Sequence, residues 1–193
     1  MLKKSDIPNI IKTGVILFLI TGIAAFVLAA VNSITAPIIK ANEEEKQQAA
    51  MNKVLPVADS FSDEGTMDRI TDESVKNVYI GTVGNEECGY VVITEPMGYG
   101  GKITMVVGVD KEGAVTGIDI TGQSETAGLG ANCSKDEFKS QFVGKTSGIE
   151  VVKTGAKDNE VNAITSATIT SKAVTKGVNA ALDAVKQIEE GKE

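Results

Sequence analysis

The sequence predicts an α+β fold: an antiparallel sheet with packed helices, tethered by a single N-terminal transmembrane helix. Three observations predict it. Thr13 to Val31 (TGVILFLITGIAAFVLAAV) is 19 residues without a charge. Short runs rich in β-branched residues, separated by glycine and acidic turns, fill the middle of the chain. The last stretch places Val174, Val178, Leu182, Val185 and Ile188 at spacings of four, four, three and three, which is one helical face.

The elements follow in order. Residues 1–12 are expected on the cytoplasmic side, and residues 13–34 form the transmembrane helix. Nineteen residues at about 1.5 Å each make about 28 Å, close to the roughly 30 Å hydrocarbon core. A cleaved signal peptide is the alternative, because Ala29-Ala30 resembles a cleavage site. The apolar run is longer than the roughly 7–15 residues such a signal uses. Lys3, Lys4 and Lys12 precede the span, and Glu43-Glu44-Glu45 follow it. The basic flank stays in the cytoplasm by the positive-inside rule, which puts the C-terminal domain outside, at the cell (inner) membrane.

Residues 35–74 read as a juxtamembrane helix and linker. Pro37 is expected to end the membrane helix region, and residues 41–55 are strong helix formers closed by Pro56. Residues 57–73 are acidic and poorly periodic, expected as loop with some helix.

Residues 75–193 form the globular domain. Strands are expected at Val75–Val83, Tyr90–Thr94, Lys102–Val109 and Val115–Thr121, the last two as a hairpin around Asp110-Lys-Glu-Gly-Ala114. Ser134-Lys-Asp-Glu137 has the pattern of a capping box opening a short helix through Phe138 and Phe142. Ile149–Lys153 reads as another strand, and a helix runs from about Ala167 to Glu189 and packs on the sheet.

Composition removes several function classes. The net charge is −7, and because residues 1–31 hold three lysines and one aspartate, residues 32–193 carry −9. An acidic domain with 4% aromatics and no tryptophan does not suit nucleic acid. The absence of histidine excludes histidine acid–base catalysis and histidine-ligated metals. Cys88 and Cys133 make no metal site by themselves; a disulfide and two buried thiols both remain open.

The run Asn162-Ala-Ile-Thr-Ser-Ala-Thr-Ile-Thr-Ser171 carries the chemistry. It gathers five hydroxyls, those of Thr165, Ser166, Thr168, Thr170 and Ser171, at the start of a helix. Hydroxyls there ordinarily cap the helix. The same arrangement also suits a phosphate, since the helix N-terminus offers N–H donors and a favourable dipole. Two glycine-rich segments accompany it. Gly98-Tyr-Gly-Gly-Lys-Ile103 is no P-loop, because Pro96 and Ile103 break the pattern. Ser124-Glu-Thr-Ala-Gly-Leu-Gly130 lacks the third glycine of a dinucleotide fingerprint, with Cys133 in that place.

In this order, with the anchor, these features resemble the FMN-binding G subunit of Rnf electron-transport complexes. More distantly they resemble the C subunit of the sodium-pumping NADH:quinone oxidoreductase. The resemblance covers essentially the whole chain, and the compact length favours the former. It implies an extracytoplasmic FMN-binding domain with FMN bonded covalently, as a phosphoryl threonine, to Thr168. Thr165, Ser166 and Ala167 precede that residue in the motif; Thr170, Ser171 and Lys172 follow it, and Lys172 would screen the phosphate. Glu125, Thr126, Gly128, Leu129 and Gly130 match the family's glutamate-glycine loop, and Gly98, Tyr99, Gly100 and Gly101 its aromatic-glycine loop. The family often has glycine at Ser166, aspartate at Asn162 and proline at Ala127, and some members carry a histidine before the second loop.

The resemblance further implies electron transport as one subunit of an ion-translocating oxidoreductase, with no complete active site on this chain. The other membrane and cofactor-bearing Rnf subunits would be its partners, and a separate flavin transferase would attach the FMN. The alternatives are the quinone-reducing complex, or an anchored binding or scaffold domain without flavin.

Overall fold

The computed structural model describes residues 7–63 and 70–191. Lys3, Lys4 and the middle of the expected acidic loop, residues 64–69, lie outside the described residues. The chain divides into two compact units, one up to Glu45 and one from Lys46 onward.

Helix α1 spans Ile7–Val54 with Pro37 inside it. The expectation that Pro37 ends the helix is therefore corrected. Proline forfeits one backbone bond, here to the Ser33 carbonyl, and helix-forming residues on both sides keep the turns going. In the first unit the apolar side chains point outward: Phe18 is 74% exposed and Phe26 75%. The helix is long and apolar enough to cross a membrane. Its hydroxyls bond back to their own helix, as Thr21 Oγ1 does to the Leu17 carbonyl (3.0 Å) and Thr35 Oγ1 to that of Val31 (3.0 Å).

The second unit is built on an antiparallel meander. Strands β1 (Ser60–Asp63), β2 (Val75–Val83), β3 (Glu86–Thr94), β4 (Thr104–Asp110) and β5 (Val115–Gly122) pair in sequence order. The four expected strands are present, and β4 and β5 form the expected hairpin. Strand β1 falls where a loop was expected, and only Phe61 in it is even half-buried.

The central strands bury both faces, and side chains alternate between two cores. Tyr90 and Val92 of β3 join Met105, Val107 and Val109 of β4 beneath helix α3 (Thr168–Glu190). Val91, Ile93 and Val106 point the other way, against Ala50, Met51, Val54 and Leu55 at the end of α1. Gly108 and Gly117 leave room for that last turn, and the Thr116 hydroxyl donates to the Val54 carbonyl at 2.5 Å. The predicted face of α3, Val174, Val178, Leu182, Val185 and Ile188, is buried throughout.

Both cysteines are free. Cys133 belongs to the core under α3, whereas Cys88 packs with the opposite core, so the sheet separates them. Burial pushes both thiols up, which favours the protonated form.

Between β5 and α3 lie a 3-10 turn at Gly130–Ser134, helix α2 (Asp136–Lys139) and a second 3-10 turn at Ser140–Phe142. The capping-box expectation for Ser134 is corrected. Lys135 occupies the cap position of α2 and no side chain caps it. The chain reaches α2 directly from the preceding 3-10 turn, so little free helix end remains for Ser134 to cap. Phe138 and Phe142 meet edge to face with centroids 5.4 Å apart. The strand expected at Ile149–Lys153 is β6 (Glu150–Val152), and it pairs parallel with the unforeseen β7 (Glu160–Asn162).

Candidate functional site

Three loops converge at the N-terminus of α3. The first joins β3 to β4. Gly98 N–H donates to the Gly101 carbonyl (2.7 Å) and Ile103 N–H to that of Pro96 (3.0 Å), which turns the chain sharply and leaves Tyr99 73% exposed at the tip. The second follows β5. Leu129 and Ala131 N–H groups both donate to the Thr126 carbonyl, and Gly128 takes a φ of 78° that favours glycine. The third is the hydroxyl-rich run itself.

Glu125 joins all three. The residue is buried, 8% exposed. Oε1 accepts the Gly100 N–H at 2.9 Å, and Oε2 accepts the Thr170 hydroxyl at 2.7 Å. Its own N–H donates to the Gln123 side chain at 2.6 Å. The neighbouring glycines make the approach possible. A methyl at Gly130 would collide with Glu125 and lie 2.7 Å from Thr170 Oγ1, and one at Gly98 would meet Glu125 and lie 2.8 Å from Ile103.

The start of α3 is open. Ala167 stands at the cap and no side chain caps the helix. The first intrahelical bond runs from Ser171 N–H to the Ala167 carbonyl (3.0 Å), so the N–H groups of Thr168, Ile169 and Thr170 face out from the positive end of the helix dipole. Ser166 reaches this turn with φ at 61°, a left-handed conformation costly for serine and free for glycine.

The five hydroxyls separate clearly. Thr165, Ser166 and Thr168 are all exposed at the surface. Thr170 is buried and committed to Glu125. Ser171 is also buried; its hydroxyl donates to the Ala167 carbonyl and accepts the Ile164 N–H at 2.9 Å.

A cleft of about 540 Å³ lies in front of this helix end, lined by Tyr99, Glu125, Thr126, Leu129, Gly130 and Ser166 to Thr170. That is within the roughly 300–1,000 Å³ of small-molecule sites. The structure thus brings together most of the expected site residues. Gly98, Gly100 and Gly101 shape the Tyr99 turn from behind. Thr165 and Gly128 border a second, adjoining cavity of about 410 Å³. Lys172 is not brought to the cleft; it is exposed beside Glu150, Thr175 and Lys176. Ile169, 57% exposed, is a wall residue that sequence reasoning missed. Its position five residues before Val174, off the buried face, is the signal that would have found it.

The donor set fits FMN. A phosphate suits the open helix end and the Thr168 hydroxyl, and exposed Tyr99, Leu129 and Ile169 offer apolar surface to a ring. Asn162, where the resembled family often has aspartate, works as an acceptor: its Oδ1 takes the Ala156 N–H at 3.0 Å.

A membrane-length helix followed by an α+β domain with a phosphate-ready helix end defines an anchored cofactor-binding protein. Similarity to known proteins makes this particular. Residues 98–183 match the FMN-binding domain family, and residues 1–54 match the RnfG N-terminal region. The chain is 40% identical over 188 residues to the G subunit of the Na⁺-translocating ferredoxin:NAD⁺ oxidoreductase complex of Acetobacterium woodii, covering 90% of each chain. It is 38% identical over 171 residues to the G subunit of the proton-translocating ferredoxin:NAD⁺ oxidoreductase complex of Clostridium ljungdahlii, covering 88% of each. The crystal structure of Shewanella oneidensis NqrC, 19% identical, shares the fold with a TM-score of 0.51 over 66% of each chain. The chain belongs to the family of G subunits of ion-translocating oxidoreductase complexes.

Proposed function

We propose that this chain is the flavin-carrying relay subunit of a membrane-bound ferredoxin:NAD⁺ oxidoreductase that translocates ions, with FMN bonded through its phosphate to Thr168. The observation that carries the reading is the Thr168 hydroxyl, exposed in the cleft at an uncapped helix end while Thr170 and Ser171 are committed elsewhere.

The residues divide the work. The outward N–H groups of the first turn of α3 stabilise the phosphodiester charge. Tyr99, Leu129 and Ile169 hold the ring and exclude water from its face, and Glu125 fixes the loops behind them. Bound FMN supplies one-electron transfer, and the protein supplies position and electrostatics. The nicotinamide site and the ion pathway lie in other subunits, because this chain has one membrane-length helix among the described residues and no dinucleotide fingerprint.

Attachment needs a separate flavin transferase. A threonine hydroxyl is a weak nucleophile without a base, and the chain has no histidine. Thr168 Oγ1 forms the bond to the FMN phosphorus of FAD, the pyrophosphate P–O bond breaks, AMP leaves, and the hydroxyl proton passes to the transferase. The basic N-terminal flank stays cytoplasmic, the domain from about residue 75 faces outside, and the other subunits of the complex are its partners.

Intact mass and peptide mapping of protein from its native membrane test the reading. The expected result is an increment of FMN minus water on the peptide containing Thr168, absent in Thr168→Ala. An unmodified peptide from cells with an active transferase would overturn it.

A further inference from the structure

We propose that Glu125 is the positioning residue that confines modification to Thr168, by holding the Thr170 hydroxyl covered in the cleft wall and locking the first turn of α3 against the Tyr99 loop. The inference rests on the proposed attachment at Thr168 and concerns why that hydroxyl alone is used.

Two threonines of the first helical turn line the same cleft, Thr168 and Thr170. Both have the chemistry of an acceptor. They differ in one respect: the Thr170 hydroxyl donates to Glu125 Oε2 at 2.7 Å and is 1% exposed, whereas Thr168 is exposed. A hydroxyl turned into the protein toward a buried carboxylate, with its oxygen covered, presents no accessible lone pair to an incoming phosphorus. The second carboxylate oxygen holds the Gly100 N–H at 2.9 Å, so the same side chain fixes the Tyr99 loop to the helix end. Gly98 and Gly130 press against this carboxylate so closely that a methyl at either would displace it. The pocket around Glu125 is therefore built for a carboxylate that accepts on both oxygens.

Glutamine is the control, with little change of volume. Its amide can keep the Gly100 N–H on its carbonyl and donate from its NH2 to the Thr170 oxygen, so glutamine preserves both contacts with the donor to Thr170 reversed. Glu125→Ala removes both acceptors. Wild-type and variant full-length proteins are incubated with FAD and the transferase, and flavin is mapped by tandem mass spectrometry. In parallel, hydrogen exchange of the unmodified proteins is followed in the peptide containing Gly100.

The expected result is at least tenfold slower labelling of Thr168 in Glu125→Ala, with flavin newly found on Thr170, and labelling of Thr168 alone in Glu125→Gln. Exchange at Gly100 accelerates at least tenfold in Glu125→Ala, with a cooperative melting transition retained, and stays near wild type in Glu125→Gln. Wild-type labelling rate and site, or unchanged Gly100 exchange, in Glu125→Ala would overturn the proposal. Failure of the wild-type protein to accept flavin would overturn the attachment reading instead, and Gly100 exchange would still decide whether Glu125 locks the loops.

Discussion

The Lys139 ammonium lies 2.6 Å from Asp119 Oδ1, and the same oxygen takes Lys53 at 3.0 Å. This cluster ties three elements together: the last turn of α1, strand β5 and helix α2. Lys139 is buried, and it also reaches Asp136 at 3.1 Å.

The Lys139–Asp119 pair predicts a pH window for stability. Burial alone would raise Asp119, but its hydrogen bonds from Lys139 and Lys53 outweigh that and hold it below the ordinary carboxylate value. Its contribution is complete above the unfolded value of about 3.9 and is lost as pH falls through the lower folded value. Burial alone would lower Lys139, but Asp119 and Asp136 outweigh that and raise it. Its contribution is complete below the unfolded value of about 10.4 and is lost as pH rises through the higher folded value. Denaturant midpoints should therefore be flat near neutrality and fall at both extremes. Asp119→Asn should cost about 2–3 kcal/mol at pH 7, between an exposed pair and a fully buried one, and should flatten the acid limb.

Glycine substitutions should separate crowding from backbone strain. Gly130→Ala sets a methyl against Glu125 and Thr170, and we expect a loss of about 1–3 kcal/mol together with impaired flavin attachment. Gly128→Ala has open space around it but a φ of 78°, so the loss should be about 1 kcal/mol, from backbone strain alone. Equal losses, or normal attachment in Gly130→Ala, would contradict the packing argument.

These cases show what could be read in advance. The hairpin of β4 and β5 and the buried face of α3 follow from alternation and helical spacing, because each buries a regular stripe. Strand β7 has only Val161 fully buried and β1 has only Phe61 partly so, which is too short a pattern to register. The loops that meet at the cleft were legible as motifs, but the part Glu125 plays in joining them was not. It depends on a partner 45 positions away, and no spacing rule encodes that contact. The continuation of α1 through Pro37 was likewise decided by neighbouring helix formers rather than by the proline.

Ser166 offers a stabilising change. At φ 61° serine bears left-handed strain of about 1 kcal/mol, which glycine does not. Glycine costs part of that gain through the freedom of the unfolded chain. Ser166→Gly should therefore stabilise the domain by about 0.5 kcal/mol, raising Tm by about 1–3 °C. A lower Tm would show that the Ser166 side chain contributes a contact outweighing its strain.

Tyr99 should govern the surroundings of the flavin rather than its attachment. The ring stands exposed on a turn closed by its own backbone bonds, so removing it leaves no buried cavity. Tyr99→Ala should change folding stability by less than about 0.5 kcal/mol. An aromatic contact of this kind contributes about 0.5–1.5 kcal/mol, and it exists only while the flavin ring lies in the cleft. The proposed covalent bond at Thr168 would keep the cofactor on the protein even when that contact is lost. Tyr99→Ala should thus retain the mass increment on Thr168 while its visible absorption moves toward that of free flavin. An unchanged spectrum would place the ring away from Tyr99, against Leu129 and Ile169 alone.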